Sequence, residues 1–202
     1  TESSEEQDTT DDTPPIPSTD EQVTEESAKQ SDDLTGLAAD IVETGKSEEV
    51  TLANIEGTVK VGYSERKLAE PTKETTLSEG AIIQTSTDSS TVIALQKIKL
   101  KEEANTQIKV DDIKLPKGNK QGITTFDLKK GSITTLSQNE NVRLVVTTDN
   151  TDVTADGQVK ITYDKNRKVT IVRAIKGSAV VEHKGDDIKV AEGQTREFKG
   201  KG

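Results

Sequence analysis

Cysteine, methionine and tryptophan are absent from this sequence of 202 residues, which has a single histidine, two phenylalanines and two tyrosines. Without cysteine the chain can form no disulfide, thiolate metal site or thiol nucleophile. With His183 alone it cannot build a zinc site with several imidazole ligands, and a serine-hydrolase triad would depend on that one base. We therefore predict a protein that is not an enzyme, with no catalytic, cofactor-binding or metal-binding residues and no cofactor.

Apolar side chains are also scarce, because only 29% of the residues are hydrophobic and 2% are aromatic. The core must come from valine, isoleucine and leucine, and the first two are enriched in β-strands. No run of about 18 apolar residues and no apolar signal core is present, so the sequence itself predicts no membrane span. We expect membrane attachment only through a lipid anchor that this sequence does not include.

Charge divides the sequence into two regions. Residues 1–50 contain sixteen acidic residues and two lysines, a net charge of −14, whereas the remainder has a net charge of +4. The first region is also rich in serine, threonine, glutamine and proline, and such a stretch buries too little apolar surface to offset its conformational entropy. We predict a disordered acidic tether over residues 1–32, with an average reach on the order of 30 Å.

One apolar pattern interrupts the acidic region. In DDLTGLAADIVETGK, residues Leu34, Leu37 and Ile41 recur at helical spacing, with aspartates at the start and Gly45 beyond the end. We predict a short amphipathic helix or cap over residues 33–45. Because an isolated helix of this length is marginal in water, we expect it to dock on the rest of the protein, with a partner-binding helix or a disordered segment as the alternatives.

From about residue 54 the pattern changes to short alternating runs separated by glycine, asparagine and aspartate. Glycines such as Gly80, Gly131, Gly157 and Gly177 fall between the runs, where we expect tight turns. The sequence predicts an all-β domain over residues 54–198, with many short strands in a β-solenoid-like or sandwich-like stack. The predicted strands are IEGTVKV, AIIQTS, TVIAL, KIKLK, TQIKV, TTFDL, SITTL, VRLVVTT, QVKITYD, KVTIVRA, SAVVEH, IKVAE and TREFK.

The order of several motifs in this region resembles the FecR-type domain family. The family's Gly-x-Val-x-Val opening is similar to Gly57–Val61, and its Leu-x-x-Gly-Asp-x-Ile-x-Thr module is similar to Leu77–Thr85, where Ala81 replaces the aspartate. FDLKKGSIT is similar to the aromatic strand, glycine turn and second strand of the family. The closing repeat, with its Ala-Gly-Glu turn, is similar to KVTIVRAIKGSAVVEHKGDDIKVAEGQTREF.

The resemblance implies a binding and signalling domain outside the cytoplasmic membrane, without catalysis. It leads us to expect a non-enzymatic protein-interaction or scaffolding domain on a flexible tether, in a periplasmic or surface lipoprotein of the bacterial cell envelope. A surface adhesin that binds host or matrix molecules is one alternative. Another is the sensor ectodomain of a transmembrane sigma-factor regulator. The expected partner is an envelope or surface protein of unknown identity.

Two groups of basic residues are the candidate partner-binding sites, besides the apolar residues of the predicted helix. One group is the alternating lysines Lys97, Lys99 and Lys101, and the other is the cluster formed by Lys165, Arg167 and Lys168. We expect both to lie on accessible strands at a sheet edge, where unpaired backbone groups can accept a strand from a partner. Nucleic acid is not expected, because aromatic residues for base stacking are nearly absent and the net charge is −10.

Two further features predict structure rather than chemistry. His183 precedes a turn, and we expect a surface or half-buried histidine without a chemical role. The stretch DNTDVTADG, residues 149–157, resembles the start of a calcium loop, but the twelfth position from Asp152 is Tyr163, where such a loop requires glutamate. We expect an aspartate-rich turn whose side chains bond their own backbone.

Overall fold

A computed structural model describes residues 50–72, 75–95, 97–137 and 140–200. The predicted tether and the predicted helix, with Leu34, Leu37 and Ile41, lie outside these residues. The described chain is all-β, which confirms the predicted fold class, and no helix long and apolar enough to cross a membrane occurs within it. It has thirteen strands: β1 (Val50–Glu56), β2 (Val59–Gly62), β3 (Thr76–Leu77), β4 (Ile82–Thr85), β5 (Ser90–Leu95), β6 (Ile98–Glu102), β7 (Gln107–Lys114), β8 (Gly122–Ser137), β9 (Val142–Thr147), β10 (Asp152–Asp164), β11 (Val169–His183), β12 (Asp186–Ala191) and β13 (Thr195–Lys199).

Three of the strands are much longer than the sequence predicts. The predicted strands TTFDL and SITTL are parts of the single strand β8, and KVTIVRA and SAVVEH are parts of β11. Gly131, Gly157 and Gly177 therefore lie inside strands and not in turns, with φ angles of 92°, 90° and 86°. The expectation of turns at these three glycines is wrong, because a glycine at positive φ bends a strand without ending its pairing.

The bends fold one continuous sheet into two layers. The first half of β8 pairs with β7 and β9, and its second half pairs with β6 and β10. Likewise, β11 pairs with β13 before its bend and with β12 after it. One layer has the order β2–β4–β7–β8–β9–β10–β11–β12, and the other has the order β3–β1–β5–β6–β8–β10–β11–β13. Of the two predicted arrangements, β-solenoid-like and sandwich-like, the topology therefore corresponds to the sandwich-like one.

A single hydrophobic cluster draws on both layers and fills the space between them. Phe126, Leu144 and Val181 come from the first layer, whereas Leu100 and Ile161 come from the second, and all five are fully buried. All the strand pairs are antiparallel except β8 with β9, where Gly122 pairs with Val142. This core fixes the register of each strand, because a slip of one residue would turn its apolar side chains outward.

Candidate functional site

An open pocket of about 630 Å³ lies where the β9–β10 turn meets the end of β11. It contains His183 and part of the aspartate-rich stretch, which the sequence singled out, together with Lys168 from the second basic cluster. The pocket is lined by Thr148, Asp149, Asn150, Thr151, Asp152, Lys168, Glu182, His183, Lys184 and Gly200. Hereafter this site is called the end pocket.

Asn150 organises the end pocket. Its Nδ2 donates to the backbone oxygens of Phe198 at 2.9 Å and Lys168 at 3.3 Å. Its Oδ1 accepts from the hydroxyls of Thr170 at 2.6 Å and Thr148 at 3.0 Å. One amide side chain thereby joins the β9–β10 turn to β11, β13 and the β10–β11 turn, with both its donor and its acceptor groups satisfied. We infer a structural role for Asn150, which the sequence analysis did not identify.

His183 is half-buried on the wall of the pocket. Its Nδ1 lies 2.9 Å from the backbone oxygen of Asn150, and its ring meets the edge of Phe198 with the ring centroids 5.5 Å apart. Because a carbonyl oxygen can only accept, Nδ1 must carry a proton, and Nε2 is the remaining ring nitrogen. The half-buried position of His183 agrees with the expectation of a surface or half-buried residue, and its contacts hold the turn in place.

Tyr163 lies beneath the same turn. Its ring is 1% exposed, and its hydroxyl donates to Asp149 Oδ2 at 2.8 Å. Burial, together with the hydrogen bond to the Asp149 carboxylate, raises the pKa of Tyr163 to about 12. The Asp149 carboxylate therefore serves as the hydrogen-bond acceptor of a buried hydroxyl group.

The aspartate-rich stretch is only in part the expected turn. The turn closes with Thr148 N–H donating to the Thr151 carbonyl at 2.9 Å, and β10 begins at Asp152. Asp156 and Gly157 therefore lie in a strand, opposite Ser178 and Gly177. The expected turn over residues 149–157 is wrong from Asp152 onward, because the residues to Gly157 satisfy their backbone groups by pairing with β11. Among the described residues no group of three or more histidine, aspartate or glutamate side chains is placed to hold a metal ion.

The rim of the end pocket carries charges of both signs. Asp152 and Glu182 supply carboxylates, and Lys168 and Lys184 supply ammonium groups, all on exposed residues. Both lysines have positive φ angles, 52° and 56°, which place them in tight turns. This arrangement suits weak binding of a polar group or of the end of a peptide, and it offers no pair of groups arranged for proton transfer.

The two basic groups of the sequence analysis are not close to one another. Lys165, Arg167 and Lys168 form the β10–β11 turn, where the Asp164 carboxylate accepts from the N–H groups of Asn166 and Arg167 at 3.0 Å. Of the three, only Lys168 lines the end pocket. Their expected place on a strand at a sheet edge is wrong, because β10 is flanked on both sides and the three residues themselves lie in the turn.

The lysines Lys97, Lys99 and Lys101 lie at β6, which is separated from β10 by β8 in the second layer. Lys97 is in the turn before β6, and β6 pairs with β5 on one side and with β8 on the other. The expected edge position is therefore wrong for this group too. Lys99 and Lys101 alternate with the buried Ile98 and Leu100, so they point away from the core.

Buried on the same strand is Glu102, which the sequence analysis did not identify. Its side chain is 0% exposed, and neither carboxyl oxygen has a hydrogen-bond partner among the described residues. Burial raises the pKa of Glu102 well above its usual range. Glu102 is the last residue of an alternating strand. Because lysine and glutamate at the end of such a strand usually predict exposure to solvent, its burial could not be recognised from the sequence.

The open edge of the sheet lies at β12 and β13. Both strands pair only with β11, one on each side of its bend. On the opposite side, β3 has two residues, and β2 is covered by hydrogen bonds between Val61 and Ala69. The side chain of Val180, which pairs with Lys189 of β12, is 40% exposed next to the open edge. Within the described chain, this is the longest uncovered run of strand backbone.

No family model and no curated protein matches the chain. Two crystal structures from Parabacteroides distasonis ATCC 8503, each provisionally described as that of an anti-sigma factor, are similar, with TM-scores of 0.49 and 0.48 and sequence identities of 13% and 12%. Each match covers 58% of this chain and 54% of the other, so the chain spans about half the length of those structures. Similarity at this level supports no conclusion about function.

Proposed function

We propose that the chain is a non-enzymatic interaction domain of FecR type in the bacterial cell envelope, which recognises a partner protein through the open edge formed by β12 and β13. The observation that carries this proposal is the edge itself. It offers eleven residues of strand that pair on one side only within the described chain. Addition of a partner strand to such an edge supplies backbone hydrogen bonds, and flanking side chains supply selectivity.

The side chains at this edge suit a protein partner. β12 carries acidic and basic groups in alternation with the buried Val190 and the partly buried Ile188. Val180 adds an exposed apolar contact on the adjacent strand. Mixed charge next to an apolar contact is the composition of a protein interface rim, where charge selects the partner and apolar area adds affinity. The end pocket opens beside the same β11–β12 turn, where it can receive a polar group of the partner.

The motif order of the FecR-type family supports the sensor ectodomain of a sigma-factor regulator as the second candidate, since that is the role of the regulators that name the family. Both candidates place the domain outside the cytoplasmic membrane and require a protein partner. They differ in the class of partner, which is an outer-membrane transporter for a sensor and another envelope protein for a scaffold.

Site-specific photo-crosslinking in living cells tests the proposal. A photoreactive residue at Lys189, on the open edge, should crosslink to one discrete envelope protein. A probe at Arg143 is the control, because Arg143 is also exposed and lies on β9, which pairs with β8 on one side and, from Leu144 onward, with β10 on the other. Equal crosslinking from both positions, or none from Lys189, would refute edge recognition. A crosslink to a host or matrix molecule would favour the adhesin alternative.

A further inference from the structure

A second group of buried apolar residues lies on the face of the sheet that points away from the core. Val92 and Ala94 on β5 and Leu136 on β8 are 3%, 6% and 7% exposed. None of them belongs to the hydrophobic cluster between the layers, whereas Ile93, which lies between Val92 and Ala94 on β5, does. Because side chains alternate along a strand, this group projects from the face of the second layer opposite the core.

The strand register places these apolar residues among basic ones. Directly opposed residues of neighbouring strands project from the same face of a sheet. One row across the layer consists of Val92, Lys101, Thr134, Lys160 and Arg173, and the next consists of Thr51, Ala94, Lys99, Leu136, Gln158 and Lys176. These two rows are called the outer basic face. Within these rows the Nζ of Lys160 lies 2.8 Å from the carboxylate of Glu103.

The outer basic face therefore combines an apolar floor with five cationic side chains. A suitable occupant has apolar residues on one side and carboxylates along its flanks. Residues 33–45 have this composition, since Leu34, Leu37 and Ile41 recur at helical spacing and Asp33, Asp40 and Glu43 lie among them.

The path of the chain also allows residues 33–45 to reach the outer basic face. The segment ends four residues before β1, and Thr51 of β1 belongs to the same row as Ala94, Lys99 and Leu136. Four residues span at most about 14 Å. β6 is two strands from β1, a distance of about 10 Å at the usual strand spacing. The segment can therefore lie over β5 and β6 immediately before the chain enters the sheet.

We propose that the outer basic face is the docking site for residues 33–45 of the same chain. The apolar residues of the segment cover Val92, Ala94 and Leu136, and its carboxylates pair with Lys99 and Lys101. Those two lysines then serve to hold the segment of their own chain and not an external partner. This contact does not involve the open edge, because β12 and β13 lie at the opposite end of the strand order from β1 and β5.

Zero-length carbodiimide crosslinking of the intact chain tests this proposal, because it joins only carboxylates and amines that touch. Lys99 and Lys101 should form amide bonds with Asp33, Asp40 or Glu43, as mapped by peptide mass spectrometry. A mixture of unlabelled and nitrogen-15-labelled protein identifies contacts within one chain. Crosslinks only between chains would replace the proposal with a self-association contact, and their absence at both lysines would overturn it.

Two variants separate docking from folding. Leu37→Asp with Ile41→Asp changes only the segment, so the β-domain keeps its fold, and the crosslinks should fall at least tenfold. Lys165→Glu with Arg167→Glu is the matched control, because it alters charge in the exposed β10–β11 turn, and the crosslinks should persist. Circular dichroism confirms the fold of each variant. Undiminished crosslinking in the first variant would show that charge alone brings the groups together and would refute the apolar contact.

Discussion

Replacement of Glu102 by methionine should stabilise the domain, and the gain should grow with pH. Glu102 is fully buried on β6 between Thr91 of β5 and Ile133 of β8, and neither carboxyl oxygen has a hydrogen-bond partner among the described residues. Burying a polar group without a partner costs about 1–3 kcal/mol in protein mutational data, and a charged group costs more. Methionine has a similar length and an adaptable apolar side chain, so it removes this cost without leaving a large cavity.

The pH dependence follows from the direction of the pKa shift. Burial raises the pKa of Glu102 in the folded state above the ordinary value of 4.5. The folded state therefore binds this proton more tightly than the unfolded state. The contribution of the group to stability is complete below about pH 4.5 and declines as the pH rises towards the folded-state pKa. The difference in the free energy of unfolding between Glu102→Met and the parent should accordingly be larger at pH 8 than at pH 5.

Urea denaturation at both pH values measures this difference. We expect a gain of about 1–3 kcal/mol at pH 8, which corresponds to a rise in Tm of about 2–12 °C for a domain of this size. Glu102→Gln should also remove this pH dependence of the stability. Its gain in the free energy of unfolding should be smaller than that of the methionine variant, because glutamine keeps a buried polar group. Glu103→Gln is the control, because it removes an adjacent carboxylate that pairs with Lys160, and it should not stabilise. A methionine variant that is less stable than the parent, or a gain that is the same at both pH values, would refute the reasoning.

Three other predictions concern the bends and the end pocket. Gly131→Ala should destabilise by more than about 2 kcal/mol in urea denaturation, because its Cβ would overlap Thr106 and its φ of 92° disfavours any side chain; a neutral result would contradict the bend. Asn150→Ala should cost about 1–3 kcal/mol by the same assay, because it leaves the Thr170 hydroxyl and the Phe198 carbonyl without their partner. Because burial raises the pKa of Tyr163 to about 12, its contribution to stability is complete below about pH 10 and is lost as the pH rises through 12. The tyrosinate absorbance step near pH 12 should therefore disappear in Tyr163→Phe, and its persistence would assign it to another group.

The sequence predicted the all-β class and the location of most strands, because alternation of apolar and polar residues depends on local geometry alone. It did not distinguish the turn glycines Gly80 and Gly185 from Gly131 and Gly177, which bend continuous strands. In both cases the alternation stops at a glycine and starts again after it. Only the pairing partners, which are distant in sequence, separate a bend from a turn.

The same limit applies to the candidate sites. The position of His183 at the end of an alternating run predicted only that it is at the surface or half-buried. The role of Asn150 did not, because its partners are the backbone of Lys168 and Phe198, which the fold alone brings near. The density of turn-forming side chains in TTDNT was a usable signal for a tightly bonded turn. The open edge was misplaced because alternation along a strand contains no information about how many neighbours the strand has.

The three strands that bend at Gly131, Gly157 and Gly177 belong to both layers at once. Neither layer is a separable piece of polypeptide, since any cut that isolates one of them severs β8, β10 and β11. The domain should therefore be lost or kept as a whole in truncation and in proteolysis. A fusion or insertion that preserves it must use the connections between strands, such as the β11–β12 turn at Lys184, and cannot follow the division between the layers.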